Sequence, residues 1–409
     1  METLKFLMVS THYPPHHLGG DAVFVSMLSE ELLKAGHEVE VFYNPKVHEF
    51  LSKNRPATPQ PDSPSGLVRN PYHPIGGSVE MFAALSLGRW KRALGRLRES
   101  VARTKPDVVH WHNTRGFIGA PVELGRAINL LTAHDYATVC PKSNLLKPDM
   151  SICEDPRWCT FCSMRSRRPF QLWRAGRKRV MSIPKNILVL APSQFLAKRL
   201  AEDGVPVHKV LRNFVPDMWA KEADYSGEKD LFLYLGIVEK HKGVKTLVEA
   251  FDKSKDGQGF KLVLVGQGSQ RDSIMKRIER GGLAGRISIP GYLSHDQVVS
   301  TRRRAAAQAI PSEWLENAPL SAIESLSMGV PLIASDIGGL PEIADDESGS
   351  WRFPPGDSVK LAEILVSVWE ERDRLEKVRR LARLAYEAKY NPQTHLKQYL
   401  AIVSGAVRD

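Results

Sequence analysis

The amino-acid sequence predicts an α/β protein with two Rossmann-like domains, in each of which helices cover a parallel sheet. The chain has 409 residues, and 42% of them are hydrophobic, which is enough for two packed cores. Short apolar segments alternate with helical patterns along nearly the whole chain, as is typical of parallel sheets. One polar segment, near residues 213–229, divides this alternation into two sets. We therefore expect one domain on each side of that segment.

The first set contains five apolar segments that we interpret as buried strands. They occupy residues 6–10, 39–43, 108–112, 130–133 and 187–191. Helices should connect them, and one of these is predicted at residues 23–35. Residues 53–78 contain many prolines and glycines, and they are predicted to form a surface loop or a mobile flap. The first domain should extend over residues 1–213.

The second set repeats the scheme after the polar segment. Its predicted strands occupy residues 231–235, 262–265, 287–289, 309–311 and 332–335. A long helical pattern begins near Ser358. Its last part should leave the second domain and pack on the first. The pattern thus assigns residues 214–389 to the second domain and residues 390–409 to a terminal helix that returns to the first.

The net charge of +11 is concentrated in two segments. Within residues 163–182 there are seven basic side chains and no acidic one, and such a block favours an anionic partner. They are Arg165, Arg167, Arg168, Arg174, Arg177, Lys178 and Arg179.

Residues 87–105 form the second basic segment, in which apolar side chains recur at helical spacing. These are Leu87, Trp90, Leu94, Leu97 and Val101, and basic residues fill the remaining positions. The pattern predicts a helix on an anionic membrane surface, and a helix packed on its own domain with a solvated basic face explains it equally well. Nucleic acid is disfavoured as a partner, because no helix-turn-helix, finger or base-stacking pattern accompanies the charge.

The chain shows neither a signal peptide at its start nor the run of eighteen apolar residues that a spanning helix needs. We therefore expect a cytoplasmic protein, with peripheral attachment to the inner face of the cell membrane as the further expectation from the basic segments.

Two glycines between the first predicted strand and helix are the first candidate for phosphate binding. Gly19 and Gly20 allow close approach of the backbone to a ligand, and the helix that follows presents N–H groups and a positive dipole end. The alternative is a tight strand-to-helix turn with Asp21 as the N-cap.

The segment PSEWLENAPLSAIESLSMGVPLIASDIGGLPE is the second candidate. Asn317 is a good N-cap and Pro319 a good early helical residue, so Glu316 should lie in the loop and Glu324 two turns inside the helix. Both carboxylates can then reach one ligand, whose phosphates would contact the backbone N–H groups near Asn317 and Ala318. The alternative is that the two glutamates are ordinary solvent-facing acids.

These segments together resemble the retaining glycosyltransferases of family 4, and the resemblance extends from about residue 6 to residue 399. The matching pieces are PPHHLGGDAVFVSMLSEELLKAGHEVEVF, DVVHWHN, LTAHDY, YLGIVEKHKGVKTLVEAF, LVLVGQGSQRDSI and the E-x7-E segment. Their order is more specific than any one of them. The resemblance implies the GT-B architecture, in which the parallel sheets of two Rossmann-like domains face a central cleft.

The resemblance also implies how the donor is held. Glu324 would bind the ribose hydroxyls, Glu316 the transferred sugar and Lys242 the diphosphate. Gly20 would approach the phosphates from the opposite domain, and the backbone around Tyr292 would line the base. The full implied donor-binding set is Gly20, Lys240, Lys242, Tyr292, Glu316, Asn317, Ala318 and Glu324.

By the same resemblance, His134 would lie beside the donor sugar near the reacting carbon, and it joins Glu316 and Lys242 as the candidate catalytic residues. One departure concerns the diphosphate, because the family usually has an arginine in a Gly-Arg-Leu turn where this chain has Ile237. Lys240 or Lys242 could supply the missing cation, since a flexible ammonium reaches phosphate from several positions.

The predicted reaction is transfer of a hexose from a UDP- or GDP-sugar to a glycan or lipid-linked acceptor, in cell-envelope or exopolysaccharide biosynthesis. No Asp-x-Asp occurs in the chain, and lysine with helix N-termini can stabilise a departing diphosphate, so no catalytic metal is expected. Retention of configuration is implied by the family. The alternatives of the same fold are a nucleotide-sugar epimerase, a phosphorylase or a non-catalytic nucleotide-sugar-binding protein. A dehydrogenase is set aside, because GQGSQR lacks the third glycine of a dinucleotide site.

Two histidines and four cysteines are further candidates. His110 and His112 should share one face of a strand, and they are interpreted as structural residues rather than as a metal site. The cysteines lie in one predicted insertion of the first domain, residues 140–162, and end in the Cys-x-x-Cys pair common in zinc sites. They are Cys140, Cys153, Cys159 and Cys162. A structural zinc ion is predicted, with free thiols, disulfides or an iron–sulfur cluster as alternatives.

Overall fold

The computed structural model of the protein describes most of the chain in two compact units. The described residues are 2–17, 19–52, 64–75, 77–88, 90–114, 118–154, 159–166, 168, 171–174, 180–217, 230–254 and 259–406. The first unit comprises Met1–Arg212 and His395–Asp409, and the second comprises Asn213–Thr394. The unit boundaries thus fall at 212/213 and 394/395, where the sequence predicted 213/214 and 389/390.

The first unit contains a seven-stranded parallel sheet. Its strands are β1 (Lys5–Val9), β2 (Glu38–Tyr43), β3 (Val68–Pro71), β4 (Val108–Trp111), β5 (Ile128–Thr132), β6 (Ile187–Ala191) and β7 (Lys209–Val210). They are arranged in the order β3-β2-β1-β4-β5-β6-β7. In the middle of the sheet, Met8 pairs with Val41 on one side and with His110 on the other. The order reverses between β1 and β4, which makes this position the topological switch point of the sheet.

Helices connect these strands. They are α1 (Gly20–Lys34), α2 (Pro45–Ser52), α3 (Gly77–Leu87), α4 (Lys91–Thr104), α5 (Cys159–Arg165) and α6 (Gln194–Glu202). The first of them buries Val25, Leu28 and Leu32, which recur at helical spacing and form the apolar face of α1.

The second unit has a six-stranded parallel sheet in the order β10-β9-β8-β11-β12-β13. The strands are β8 (Leu231–Leu235), β9 (Lys261–Val265), β10 (Ile287–Gly291), β11 (Ala305–Ile310), β12 (Leu332–Ser335) and β13 (Trp351–Phe353). The helices are α7 (Val244–Lys253), α8 (Arg271–Arg280), α9 (His295–Arg304), α10 (Leu320–Ser327), α11 (Ser358–Glu370) and α12 (Leu375–Lys389). The switch point of this sheet lies between β8 and β11.

The core of the second unit lies between its sheet and the helices α7 and α11. Three aromatic rings pack edge to face at its centre, with centroid separations of 5.2 to 6.1 Å. They belong to Phe232, Phe251 and Phe260, all fully buried. Because edge-to-face packing adds to the burial of apolar area, this cluster fixes α7 on the sheet beneath the loop that follows β8.

The last helix, α13 (Pro392–Ala406), contributes to the first unit from His395 onward. Tyr399 is fully buried, and its hydroxyl lies 3.0 Å from Nδ1 of His110 on β4. The Nδ1 of His395 donates a hydrogen bond of 2.7 Å to the carbonyl of Arg212.

The strands predicted in the interior of both sheets are present, and the differences are three edge strands that were not predicted and the start of the interior strand β11. The short strands β3, β7 and β13 were not predicted, because edge strands carry a weaker apolar signal. β3 and the start of α3 lie where a loop was predicted at 53–78, of which 53–63 fall outside the described residues. β11 begins at Ala305 rather than at 309, since a run of alanines does not distinguish a strand from a helix.

The basic helix predicted at 87–105 is also shorter than expected. Leu87 ends α3, and Gly88 has a left-handed φ of 71° that breaks the helical pattern before α4 begins. In α4, Leu97 is fully buried and Leu94 and Val101 are half-buried, so its apolar face packs on its own unit. Of the other basic block, Arg167, Arg177, Lys178 and Arg179 lie outside the described residues. Arg174 is turned inward and bonds the carbonyl of Ala137.

Candidate active site

The candidate donor-binding residues of the second unit lie on loops that follow the carboxyl ends of its strands. Lys240 and Lys242 form a short 3-10 turn after β8, and Glu316 lies in the loop after β11. These are the two strands on either side of the switch point, where ligands of open α/β sheets bind. The structure therefore brings together residues that are 74 positions apart in the sequence.

Lys242 and Glu316 form an ion pair. Their Nζ and Oε1 atoms are 2.6 Å apart, and the Ser312 hydroxyl donates to the same oxygen over 2.6 Å. The Lys242 ammonium also lies 4.8 Å from the ring centroid of Trp314, a cation–π arrangement. Burial alone would raise the pKa of Glu316, but Lys242 and the hydrogen bonds outweigh it and lower the pKa. The buried carboxylate is thus ionised at neutral pH.

Two glycines allow these loops to approach each other closely. Gly243 has a φ of 65°, and a Cβ there would overlap the carbonyl oxygen of Pro311. Beside it, the N–H of Glu313 donates to the carbonyl of His241 over 2.9 Å. Gly338, with a φ of 64°, lies against the backbone of Glu316 in the same way. The positions of Lys242 and Glu316 are therefore fixed by backbone contacts as well as by their own ion pair.

The helix that carries Glu324 begins later than predicted. Its N-cap is Pro319, with extended backbone angles (φ −64°, ψ 127°), and α10 starts at Leu320. The expected N-cap, Asn317, is therefore wrong, because a residue that precedes proline disfavours the helical conformation and Ala318 keeps the chain in the loop. Glu324 lies just over one turn into α10 instead of two. The Asn213 amide donates to the carbonyl of Ala318 over 3.0 Å and holds this loop.

Glu324 is paired with an arginine that the sequence interpretation missed. Arg302 is fully buried, and its Nη2 lies 2.8 Å from Oε2 of Glu324. Its Nε donates to the side chain of Gln308 over 3.1 Å. The sequence feature that could have indicated a buried partner such as Arg302 is Gln308. It is a single polar residue in the apolar strand AAAQAI, and a buried amide needs a polar partner.

Tyr292 directly follows β10, and its side chain is 68% exposed. The carbonyl of the preceding Gly291 accepts a hydrogen bond of 3.2 Å from the N–H of Gly266, which joins the ends of β10 and β9. The backbone at Tyr292 is thus anchored to the same edge of the sheet as Lys242 and Glu316.

In the first unit, the candidate residues also lie at a switch point, where β1, β4 and β5 end. α1 begins at Gly20, and its N-cap is Gly19, with no side chain capping it. The alternative in which Asp21 is the N-cap is wrong, because Asp21 belongs to the first turn of α1. Its carboxylate accepts hydrogen bonds from the N–H of Ala22 (2.9 Å) and from the amide of Asn113 (3.1 Å).

His134 lies two residues beyond β5, beside a small cavity that it lines together with His112, Asn113 and Asp135. Its Nε2 is 2.9 Å from Nδ1 of His112. Burial lowers the pKa of His134 to about 4, although the charge of Asp21 partly opposes this. The imidazole is therefore neutral at pH 7, and it offers one hydrogen-bond donor and one acceptor.

His110 and His112 are buried and hydrogen-bonded, and their ring centroids are 4.0 Å apart on one side of the sheet. His110 Nε2 lies 2.8 Å from the Thr132 hydroxyl. Burial lowers the pKa of both histidines well below the ordinary value. Within the described residues, no group of three or more His, Cys, Asp or Glu side chains is gathered closely enough to hold a metal ion. The interpretation of His110 and His112 as structural residues agrees with these contacts.

Comparison with known proteins identifies the family. The model described as Glycosyltransferase Family 4 matches residues 18–216, and the model described as Glycosyl transferases group 1 matches residues 218–387. The chain belongs to the family 4 glycosyltransferases. The resemblance inferred from the sequence motifs is thereby confirmed, and a glycosyltransferase is favoured over an epimerase of the same fold.

One curated relative and two solved structures match this glycosyltransferase over nearly the full length of both chains. A glycogen synthase of Mycobacterium tuberculosis is 26% identical over 96% of this chain and 92% of its own. Among solved structures, the sucrose-phosphate synthase of Thermosynechococcus elongatus has a TM-score of 0.68 at 18% identity and covers 99% of both chains. Anabaena HepE, solved in complex with UDP-glucose, has a TM-score of 0.65 at 14% identity and covers 98% of this chain and 100% of its own. These likenesses confirm the predicted GT-B architecture.

The glycosyltransferase has an aliphatic side chain at the position where the family resemblance implies an arginine. Ile237 is 46% exposed, in the loop between β8 and the turn that carries Lys240. This loop is bound to the loop after β9, because the carboxylate of Glu239 accepts hydrogen bonds from the N–H (2.8 Å) and hydroxyl (2.6 Å) of Ser269. Lys240 is exposed and Lys242 is half-buried, so two ammonium groups lie on the turn that follows Ile237, and that of Lys242 is paired with Glu316.

Proposed function

We propose that this glycosyltransferase transfers a hexosyl group from a UDP- or GDP-sugar to a glycan or lipid-linked acceptor, with retention of configuration and without a catalytic metal. The observation that carries the proposal is the Lys242–Glu316 ion pair at the switch point of the second unit. A buried carboxylate beside an ammonium is suited to a ligand that has both hydroxyl and phosphate groups. The glycogen synthase and HepE with UDP-glucose, to which the chain is similar, support a nucleotide-sugar donor and polysaccharide synthesis.

In this proposal, Lys242 exchanges part of its interaction with Glu316 for the diphosphate of the donor. Glu316 then accepts hydrogen bonds from hydroxyl groups of the transferred sugar, while Glu324 binds the ribose. The departing diphosphate gains negative charge as the sugar–phosphate bond breaks. Lys242, the exposed Lys240 and the backbone N–H groups near Asn317 and Ala318 stabilise that charge in place of a divalent ion.

For the first unit, we propose that the neutral His134 hydrogen-bonds the sugar near its reacting carbon. Its low pKa supports this role, because a protonated imidazole would repel the positive charge that develops on a sugar ring as its leaving group departs. The backbone at Gly20 binds a phosphate oxygen at the N-terminus of α1, since the N-cap, Gly19, has no side chain to occupy that position.

The surface of α3 and α4 supports a lipid-linked acceptor at an anionic membrane. Four apolar side chains precede or lie on α3 and are exposed, namely Ile75 (86%), Val79 (80%), Phe82 (53%) and Leu87 (56%). On α4 the apolar face is buried, and basic side chains are exposed. They are Lys91, Arg92, Arg96, Arg98 and Arg103. Apolar groups that insert into a bilayer, next to cations that pair with its headgroups, are typical of peripheral membrane proteins. In the described part of the chain, no helix has the length and apolar content to span a membrane.

Binding and turnover with a panel of nucleotide sugars test the proposal. UDP- and GDP-sugars are titrated by calorimetry, and each donor that binds is incubated with lipid-linked and oligosaccharide acceptors before mass spectrometry and NMR of the anomeric carbon. We expect a retained product at the same rate with and without added magnesium. An inverted product, or a rate that requires magnesium, would contradict the mechanism. Donor binding without product would favour the second candidate, a non-catalytic nucleotide-sugar-binding protein, which Ile237 at the arginine position supports.

A further inference from the structure

We propose that Cys140, Cys153, Cys159 and Cys162 bind one structural zinc ion in the first unit. The structure places all four thiols around a single cavity, although they lie on three separate stretches of the loop that follows β5. None of the four forms a disulfide. Four cysteines around one cavity are the ligand set of structural zinc sites, in which the ion is tetrahedral and sealed from solvent water. This site is separate from the donor-binding residues and does not depend on the proposed function.

A short hairpin brings Cys153 back to the segment that carries Cys140. Leu146 and Ile152 form an antiparallel bridge, and the N–H of Cys153 donates to the carbonyl of Leu145 over 2.6 Å. At the start of the hairpin, the N–H of Ser143 donates to the carbonyl of Cys140 over 2.9 Å.

The other two cysteines lie on one turn of α5. Cys159 and Cys162 are three residues apart, so their side chains share one face of that helix. The Sγ of Cys162 approaches the carbonyl of Leu146 at 3.9 Å, which packs this face against the hairpin. The topology thus brings two pairs of cysteines to one cavity, one pair from the segment of the hairpin and one from α5.

The hairpin contains three non-glycine residues in the left-handed conformation, and other contacts must offset the unfavourable energy of that conformation. Between Cys140 and Cys153, Ser143, Leu145 and Met150 have φ values of 65°, 50° and 75°. The left-handed region costs a non-glycine residue about 1–2 kcal/mol, and such conformations persist only where surrounding contacts enforce them. Zinc–thiolate bonds would enforce this hairpin, because metal binding contributes directly to folding free energy.

The charge around the cavity matches a zinc–thiolate centre. One Zn²⁺ with four thiolates carries a net charge of about −2 by the ordinary ionisation of these ligands. Lys142, Lys147 and Arg165 line the same cavity as the cysteines, together with one acidic residue, Asp149, and the three basic side chains less this one acid would balance that charge.

The thiols share a cavity, but in the described residues they are not gathered within coordination distance of a common point. Binding would therefore draw the hairpin and α5 together, as is usual where metal binding is coupled to folding. Because the N–H of Cys140 donates to the carbonyl of Tyr136 over 2.8 Å, the ordered loop would support the segment that follows His134.

Metal content of the full chain, purified without chelator from zinc-supplemented medium, tests the proposal. We expect about one zinc per chain, as four-thiolate coordination requires. Cys159→Ser should lose the ion. The matched control is Met164→Ser, which introduces the same side chain at an exposed position of α5 that does not line the cavity, and should keep the zinc. Less than about a tenth of a zinc per wild-type chain by the same stoichiometry, or iron in place of zinc, would overturn the proposal.

Cobalt substitution and thiol titration keep the test independent of how the variants fold. Wild-type protein stripped of metal and refilled with Co²⁺ should show the visible absorption of a tetrahedral cobalt–thiolate centre. A thiol reagent should modify all four cysteines only after chelation, and limited proteolysis should then cut faster within residues 140–162. Four thiols that titrate equally with and without chelator, or two disulfides in the purified protein, would overturn the proposal.

Discussion

At the scale of single residues, the Lys242–Glu316 pair shows why a binding site can be stable before its ligand arrives. The carboxylate is buried, and without the ammonium it would be an uncompensated charge, which is strongly unfavourable in a protein interior. Each residue therefore keeps the other in place in the donor-free protein. The same contact predicts that a substitution of either residue also disturbs the position of the other.

Replacing Lys242 by methionine should lower donor affinity or turnover by on the order of tenfold or more, because a charge-assisted contact to the diphosphate is lost. Calorimetry with the nucleotide diphosphate and steady-state kinetics would measure the change. The control is Lys245→Met, an exposed lysine three residues further along the chain that pairs with Glu249 over 3.7 Å. Equal donor affinity and turnover in the two variants would contradict the proposal that Lys242 binds the diphosphate.

Arg302 is the second residue for which the structure predicts a large effect. Arg302→Met leaves the buried Gln308 without its hydrogen-bond donor, while Glu324 keeps partial contact with water, so the free energy of unfolding should fall by about 1–3 kcal/mol. Chemical denaturation would measure it. The adjacent Arg303 is exposed, and Arg303→Met should stay within about 0.5 kcal/mol of the wild type. If Arg302→Met lost little of the free energy of unfolding, the Arg302–Glu324 ion pair would not be the main contact that positions Glu324.

Some of these residues could be predicted from the sequence and others could not. Glu316, Glu324 and Lys242 were identified because they belong to motifs that resemble a known family. Arg302 and Ser312 were missed, because which side chains meet across a sheet depends on strand order. The pattern of one segment does not contain that information, apart from the isolated Gln308.

Among the secondary-structure elements, α3 and α4 divide between them the two kinds of group that a membrane surface would contact. The sequence left open whether the apolar face of the basic helix meets its own unit or a membrane. In α4 that face is buried, so only its cations can contact a lipid surface. The exposed apolar side chains belong instead to the neighbouring α3.

The full chain should co-sediment with vesicles that contain anionic lipid, and salt should release it, because screening weakens surface electrostatics. Arg92→Glu/Arg98→Glu should reduce the bound fraction several-fold, since each basic side chain near an anionic bilayer contributes about 1 kcal/mol.

The matched control for this charge reversal is Lys276→Glu/Arg280→Glu, which makes the same change at exposed positions of α8 in the second unit. Equal loss of binding in both double variants would indicate a general charge effect. Binding to neutral vesicles that is unaffected by salt would contradict a site built on α4.

Elements were predicted well where periodicity is strong and poorly where it is weak. The interior strands are continuous apolar runs, and they were located within a few residues. The start of α10 was misplaced because Asn317 has the chemistry of an N-cap, whereas the conformational restriction before Pro319 decided the outcome. The alanine-rich β11 was truncated because its composition carries little information about its conformation.

For the whole molecule, stability should depend on pH, because desolvation strongly lowers the pKa of four histidines of the first unit. Burial lowers the pKa of His134 and His395 to about 4, and those of His110 and His112 lie well below the ordinary value. Asp21 opposes the shift of His134, and the Arg212 carbonyl opposes that of His395. Since each folded-state pKa is depressed, the unfolded chain binds protons first as the pH falls.

Stability should therefore be complete above about pH 6.5, the ordinary histidine value, and should fall as the pH approaches 4. Each such histidine contributes about 1.4 kcal/mol per pH unit within that window. Thermal denaturation between pH 7.5 and pH 5, monitored in wild type and His395→Asn, would measure it. The variant should show a shallower dependence, while His295→Asn, at an exposed position of α9, should match the wild type. A melting temperature independent of pH would contradict the buried neutral state.

Because α13 completes the first unit, it affects the order in which the two units can fold during synthesis. Tyr399 and Val403 of α13 are buried in the first unit, and Tyr399 bonds His110 on its central strand β4. The ribosome synthesises β4 before the second unit and α13 after it. Domains usually fold in the order in which they emerge. Here the continuous second unit can complete its core first, and the nascent first unit must wait, with His110 unpartnered by Tyr399, until α13 leaves the exit tunnel.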